Sequence, residues 1–140
     1  VSRILGVDLG ARRIGLALSD PSGVTASPHA VIERSDSREH DHRVVLEAAR
    51  AAEADRIVVG LPLSLSGGVG PAARAVLEEV EELRAAAGDG VAVETFDERL
   101  TTVIAERSLV EAGMRRAARR RIVDKVAAAV MLQSYLEAPR

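Results

Sequence analysis

Residues 3–20 read RILGVDLGARRIGLALSD. Two apolar runs, 3–9 and 13–19, are joined by a short Gly-Ala-Arg turn, a pattern that predicts a β-hairpin. Asp20-Pro21-Ser22-Gly23 then supplies a strong turn signal. Asp8 stands out within the first run. It follows Ile4, Leu5 and Val7 where a central strand reaches its carboxyl end. Burying an unpaired carboxylate there costs several kcal/mol unless a charge or a donor meets it. The ordinary reading is an Asx turn, in which Asp8 accepts a backbone N–H near Gly10 and shapes the hairpin. The other is a functional acid.

The rest of the chain sets the frame. His29–Glu33 reads as a third, more polar edge strand, and SDSREHD (36–42) as a loop entering a helix over about 40–54. Arg56–Gly60 is a short, nearly continuous apolar run, as expected of a strand covered on both faces. It ends in the Gly-rich LPLSLSGGVGP; Pro71 opens a helix over 71–87 that stops near Gly88. Val91–Phe96 reads as a strand running into DERLTT, followed by helices at about 102–112 and 121–136. The order β-β-β-α-β-α-β-α-α implies an α/β fold: a mixed five-stranded sheet, antiparallel meander first and βα crossovers after, flanked by helices. This is the ribonuclease-H-like layout, although composition alone also admits other α/β folds, with residues 1–140 expected as one domain.

Composition narrows the chemistry. A chain of 140 residues fits one domain and buries roughly two-thirds of its unfolded surface. There is no cysteine, so thiolate zinc sites, disulfides and cysteine nucleophiles are excluded. No apolar stretch approaches the ~20 residues of a bilayer span, and no signal-peptide pattern opens the chain, so a cytoplasmic protein without membrane contact is expected. Phe96 and Tyr135 are the only aromatics, which nearly excludes base stacking on aromatic platforms. The net charge of −2 hides an uneven distribution: acids dominate 78–82, whereas Arg115, Arg116, Arg119, Arg120 and Arg121 crowd together. Such a cluster suits phosphate backbones and predicts salt-dependent binding.

Three acidic points stand at predicted element ends: Asp8, Asp97-Glu98 after the last strand, and Asp124 near the start of the last helix. Singly each has an ordinary reading. Asp97 and Glu98 suit a helix N-terminus with Thr101 and Thr102, and Asp124 suits a helix dipole or an ion pair with Lys125. Strand alternation prevents Asp97 and Glu98 from both facing one site. Together the acids mark the carboxyl edge of an α/β sheet, where functional groups gather. Converging carboxylates repel unless divalent cations neutralise them, and oxygen donors suit Mg²⁺ or Mn²⁺. A pair of such ions, ~3.5–4 Å apart, stabilises the attacking and leaving oxygens of a phosphoryl displacement.

Four motifs stand in order: GVDLGARRIGLALSD (6–20), VVGLPLSLSGGVGPAA (58–73), DERLTT (97–102) and RRRIVDKVAAAVMLQSYL (119–136). In them the chain resembles the YqgF/RuvX family, the pre-16S rRNA nucleases with Holliday-junction-resolvase-like folds, over nearly its whole length. The resemblance implies a ribonuclease-H-like fold and metal-dependent cleavage of nucleic acid with two ions. It carries the first acid to Asp8, the DER acid to Glu98 or Asp97, and the last acid to Asp124, as catalytic groups and metal ligands. Many members have Asn-Met-Asp where this chain has Ser64-Leu65-Ser66, which puts in doubt any metal-holding role of that loop.

Arginine forks suit phosphate. Arg12 and Arg13, expected to turn away from Asp8 on the hairpin, are candidate phosphate contacts together with Arg99 and the 115–121 cluster. Gly60, Gly67, Gly68 and Gly70 are candidates for backbone approach to phosphate, against the plainer reading of a connector before Pro71. His40-Asp41-His42 reads as a solvated polar loop.

Three functions compete at this stage. One is an endonuclease maturing the 5′ end of pre-16S rRNA in the small-subunit precursor. The second is a resolvase of branched DNA, acting as a homodimer rather than a monomer because two strands are cut symmetrically. The third is a non-catalytic nucleic-acid or ribosome-associated module. Sugar-kinase-like ATPases also open with D-x-G and a hairpin, but they need two lobes; a P-loop is absent.

Overall fold

The computed structural model describes residues 3–62, 69–97 and 116–138, with the side chains of the last helix described from Val126 onward. Its elements are β1 (Arg3–Leu9), β2 (Arg13–Ser19), β3 (Ala26–Glu33), α1 (Arg38–Ala51), β4 (Ala54–Leu61), α2 (Pro71–Ala87), β5 (Ala92–Asp97) and α3 (Arg116–Glu137). The expected helix over 102–112 lies outside the described residues.

The five strands form one sheet in the order β3-β2-β1-β4-β5. The first three are antiparallel neighbours, and β4 and β5 join β1 in parallel. Central β1 and β4 carry apolar side chains on both faces, as strands covered on both sides must. On one face Leu5, Val7, Ile14, Leu16, Ile57 and Val59 pack with Val45 of α1 and Val76, Val80 and Leu83 of α2. On the other, Ala17 and Val58 pack beneath Ala128, Met131, Leu132 and Tyr135 of α3.

The hairpin has the strand limits that its two apolar runs predict. β3 is longer than expected because Pro28 sits within it, opposite Ala17 at a register irregularity. A proline without an N–H is tolerated there since β3 is an edge strand. α1 begins at Arg38 because Ser37 caps it, its side chain accepting the His40 N–H at 3.1 Å. α3 begins within the arginine cluster, not after it: Arg116, Arg119, Arg120 and Arg121 occupy its first turns. Arginine and alanine are strong helix formers, so the cluster extends the helix.

α3 lies unusually close to the sheet. A Cβ on Gly6 would stand 2.9 Å from the Leu132 Cβ and 3.4 Å from the Ala128 carbonyl oxygen. The far end of α3 is fastened by its only described aromatic. Tyr135 Oη donates to Glu94 at 2.6 Å and accepts from Arg56 at 2.9 Å, and its ring meets Phe96 edge-on at 5.6 Å. Among the described residues, no helix is long and apolar enough to cross a membrane.

Candidate active site

Register places the acids. Asp8 pairs with Gly15 of β2, and with Ile4 and Gly6 it shares the strand parity that faces α3. Along β1 it lies two residues beyond Gly6, about 6.6 Å toward the carboxyl edge. α3 runs the opposite way over the same face, because Leu132 meets Gly6 while Tyr135 reaches Arg56 and Glu94 at the amino end of the parallel strands. Asp124 precedes Ala128 by one turn of α3, about 6 Å of helix. Measured from Leu132, which meets Gly6 most closely, it lies two turns back, about 12 Å, so the Asp124 position lies toward the same carboxyl edge as Asp8.

Asp97 closes β5 and pairs with Leu61. It stands two strands from Asp8, about 10 Å away. Its parity is that of Val93, which packs with α2. The alternate residues Glu94 and Phe96 face α3. Asp97 therefore belongs to the opposite face from Asp8, whereas Phe96 before it shares Asp8's face. Glu98 itself, like Arg99, Arg115, Gly67, Gly68 and Ser64-Leu65-Ser66, lies outside the described residues.

The turn beside Asp8 is tightly made. The Gly10 N–H donates to the Asp8 main-chain carbonyl at 3.1 Å. A Cβ on Gly10 would come within 2.5 Å of the Arg13 carbonyl oxygen, so no other residue fits there undisturbed. Arg12 is exposed on this turn. Arg13 departs from expectation: it follows the parity of Gly15 and so shares the Asp8 face, 3.8 Å from Glu33 across the strand pair. Gly60 is also corrected. It is buried inside β4, paired with Phe96, with its backbone in the ladder and not in a loop.

The largest departure is in HDH. His40 is exposed, but Asp41 and His42 are buried. Asp41 accepts from the Ser35 hydroxyl and amide at 2.8 and 3.0 Å. Burial pushes its carboxyl up, and these bonds with the nearby Arg34 charge bring it below the usual range. His42 Nε2 stands 2.7 Å from Glu79 Oε2. Glu79, itself buried in α2, takes a two-pronged Arg34 fork at 2.8 and 2.9 Å. Burial acts upward on Glu79, yet the Arg34 and His42 bonds outweigh it and the carboxyl is lowered. The apolar stripe of α2 hid this acid: Glu79 lies three residues after Val76 and four before Leu83, within the buried face.

Among the described residues, no three histidine or carboxylate side chains gather closely enough to hold a metal. The edge nonetheless has suitable chemistry. Asp8 is a hard oxygen donor, and the chain holds no cysteine to favour a softer ion. An all-carboxylate set of Asp8 with Glu98 or Asp97 and Asp124 fits Mg²⁺ or Mn²⁺.

The RuvX family, described as Holliday junction resolvase, matches residues 2–138. The chain belongs to the RuvX family. It is 46% identical over 134 residues to a Desulforudis audaxviator protein, covering 96% of this chain and 93% of that one. A Symbiobacterium thermophilum protein is 48% identical over 136 residues, covering 97% and 92%. Both carry the name "Putative pre-16S rRNA nuclease". Among solved structures, Thermus thermophilus RuvC in complex with Holliday junction substrate matches 98% of this chain and 97% of its own at a TM-score of 0.56 and 18% identity. That likeness carries the fold, and it bears out the ribonuclease-H-like layout read from the element order. Membership of the RuvX family makes the chain a hydrolytic nuclease.

Proposed function

We propose that this RuvX-family protein is a metal-dependent endonuclease that hydrolyses phosphodiester bonds in 5′-end maturation of pre-16S rRNA, acting in the cytoplasm on the small-subunit precursor. The observation that carries the site is that Asp8 on β1 and the Asp124 position on α3 both lie toward the carboxyl edge of one sheet face, beyond the close approach at Gly6. Asp8, Glu98 and Asp124 are its catalytic carboxylates and metal ligands. Glu98 is preferred over Asp97 because Asp97 has the parity of Val93. When bound, a pair of Mg²⁺ or Mn²⁺ ions supplies charge stabilisation at the attacking and leaving oxygens. The chain's own part is to hold the carboxylates on two rigid elements and to orient the strand. Arg12 and Arg13, beside Asp8, and the arginines at the start of α3 bind the phosphates flanking the scissile bond. With so few aromatics, recognition rests on backbone and shape more than on bases.

The family's description favours a second reading, the resolution of branched DNA, which calls for a homodimer. One preparation assayed in parallel on a 16S 5′-leader RNA and a four-way DNA junction, with Mg²⁺ or Mn²⁺, separates the two. Cleavage of the RNA alone is expected. Preferential cutting of the junction transfers the assignment to DNA, and cleavage of neither leaves a binding module. Asp8→Asn should abolish cleavage while the far-UV spectrum stays native; native-rate cutting by that variant would falsify the site.

A further inference from the structure

A buried ionic chain runs from the catalytic hairpin into α2 and α1. Arg34, just after β3, donates its Nε–H to the Gly10 carbonyl at 2.8 Å and its main-chain N–H to the Arg12 carbonyl at 2.9 Å. Its two terminal nitrogens grip Glu79, which His42 meets from α1. Arg38 lies 3.9 Å from the same carboxylate and 3.5 Å from Glu82. Arg34 and Glu79 are both largely withdrawn from solvent. Such a pair gains little stability over apolar side chains of equal volume, because desolvation offsets the attraction. What it does supply is direction. A guanidinium has a fixed planar fork, so clamping two of its nitrogens on Glu79 aims the third at Gly10. Gly10 in turn bonds back to Asp8.

We infer that Arg34, aimed by Glu79 and His42, is a positioning residue for the reaction: it fixes the β1–β2 turn and thereby the places of Asp8 and Arg12. The inference rests on the site proposed at Asp8. Misplacing a reacting group by an ångström costs on the order of 100-fold in rate, so an anchor two residues from the carboxylate acts on the chemical step more than on substrate affinity.

The test is a double variant, Arg34→Met with Glu79→Leu, which fills the space with apolar groups and removes the donor to Gly10. Melting temperature, amide exchange at residues 8–13, and kcat and KM on the 5′-leader RNA are measured together. The expected result is a protein folded at the assay temperature, with faster exchange at Gly10, KM within about threefold of native and kcat lowered roughly 10- to 100-fold. A folded double variant with kcat within twofold of native overturns the inference, since the pair would then be only a packing element. Should the apolar pair not fold, Arg34→Lys decides by the same split. It keeps the charge but lacks the planar fork that aims one nitrogen at Gly10 while two hold Glu79; a tenfold loss in kcat supports the role and less than twofold overturns it. Asp8→Asn runs alongside. If that variant is inactive while Arg34 variants cut normally, the brace fails alone; if Asp8→Asn itself cuts normally, the site fails.

Discussion

Gly6 and Leu132 meet so closely that a single methyl group on the glycine would stand 2.9 Å from the leucine Cβ. The strand and the helix therefore touch almost backbone to backbone, and this contact sets how far Asp124's position stands from Asp8. Gly6→Ala should cost about 1–3 kcal/mol, the usual range for overpacking a filled core, and should lower cleavage by moving α3 outward. Urea unfolding with a parallel rate assay checks it. Native stability in the variant would mean that α3 is free to shift and that the spacing is not fixed here.

The acids give a sharper comparison. Loss of a group that merely orients a metal ligand typically costs 10–100-fold, so loss of a ligand should cost more. Glu98→Gln and Asp124→Asn are each expected to reduce cleavage by more than about 100-fold, whereas Asp97→Asn should stay within several-fold. The reverse ranking of the Asp97 and Glu98 variants would show that β5 twists at its last residue and presents Asp97 to the site.

Most of the frame was legible because periodicity reports burial. The hairpin at 3–9 and 13–19, the run at 56–60 and the helix at 71–87 each follow from one apolar pattern, and each is present. Strand parity places Asp97 with Val93, on the face opposite Asp8. What escaped the sequence is pairing across long separations. His42 reads as part of a solvated polar loop, yet it is buried against Glu79 of α2, which Arg34 also grips. No local pattern encodes a contact between residues 37 positions apart. Arg13 was misplaced for a simpler reason: its face follows from the pairing of Asp8 with Gly15, a register that the strand limits alone do not give.

Stability should fall in acid through three carboxylates. Asp20 is held at about 2, first by the Ser22 hydroxyl and then by the Thr25 and Val24 amides, and Asp41 and Glu79 are also lowered. A carboxyl lowered in the folded state adds stability that is present above its unfolded pKa, near 4. That stability is lost as the pH falls through the folded value. Unfolding free energy measured between pH 5 and 2 should therefore decline below about pH 4, and Asp20→Asn should make the decline shallower. A flat profile across this window would contradict the folded-state bonds.

Tyr135→Phe isolates the fastening at the other end of α3. The ring contact with Phe96 survives, but Glu94 loses a donor and Arg56 an acceptor. Both partners are partly exposed and stay within 3.6 Å of each other, so the loss should be about 1 kcal/mol. Thermal unfolding measures it. Because this end is remote from Asp8, kcat should be native at temperatures where the variant is folded; a large fall in kcat would mean that the helix pivots as a rigid rod.

The arginines at the start of α3 are separable by helix position. Arg120 and Arg116 stand four and eight residues before Asp124. Each step of four advances about 6 Å, which carries both positions past the carboxyl edge of the sheet toward an incoming strand. Arg119 and Arg121 lie about 100° to either side of Arg120. Neutralising a residue that contacts phosphate should reduce the slope of log affinity against log salt by about 0.7 for single-stranded RNA. Arg116→Ala and Arg120→Ala should each show this loss when leader-RNA binding is titrated across salt concentrations. If the slope is unchanged in Arg116→Ala/Arg120→Ala, the substrate does not cross the start of α3, and Arg12 and Arg13 on the hairpin become the principal phosphate contacts.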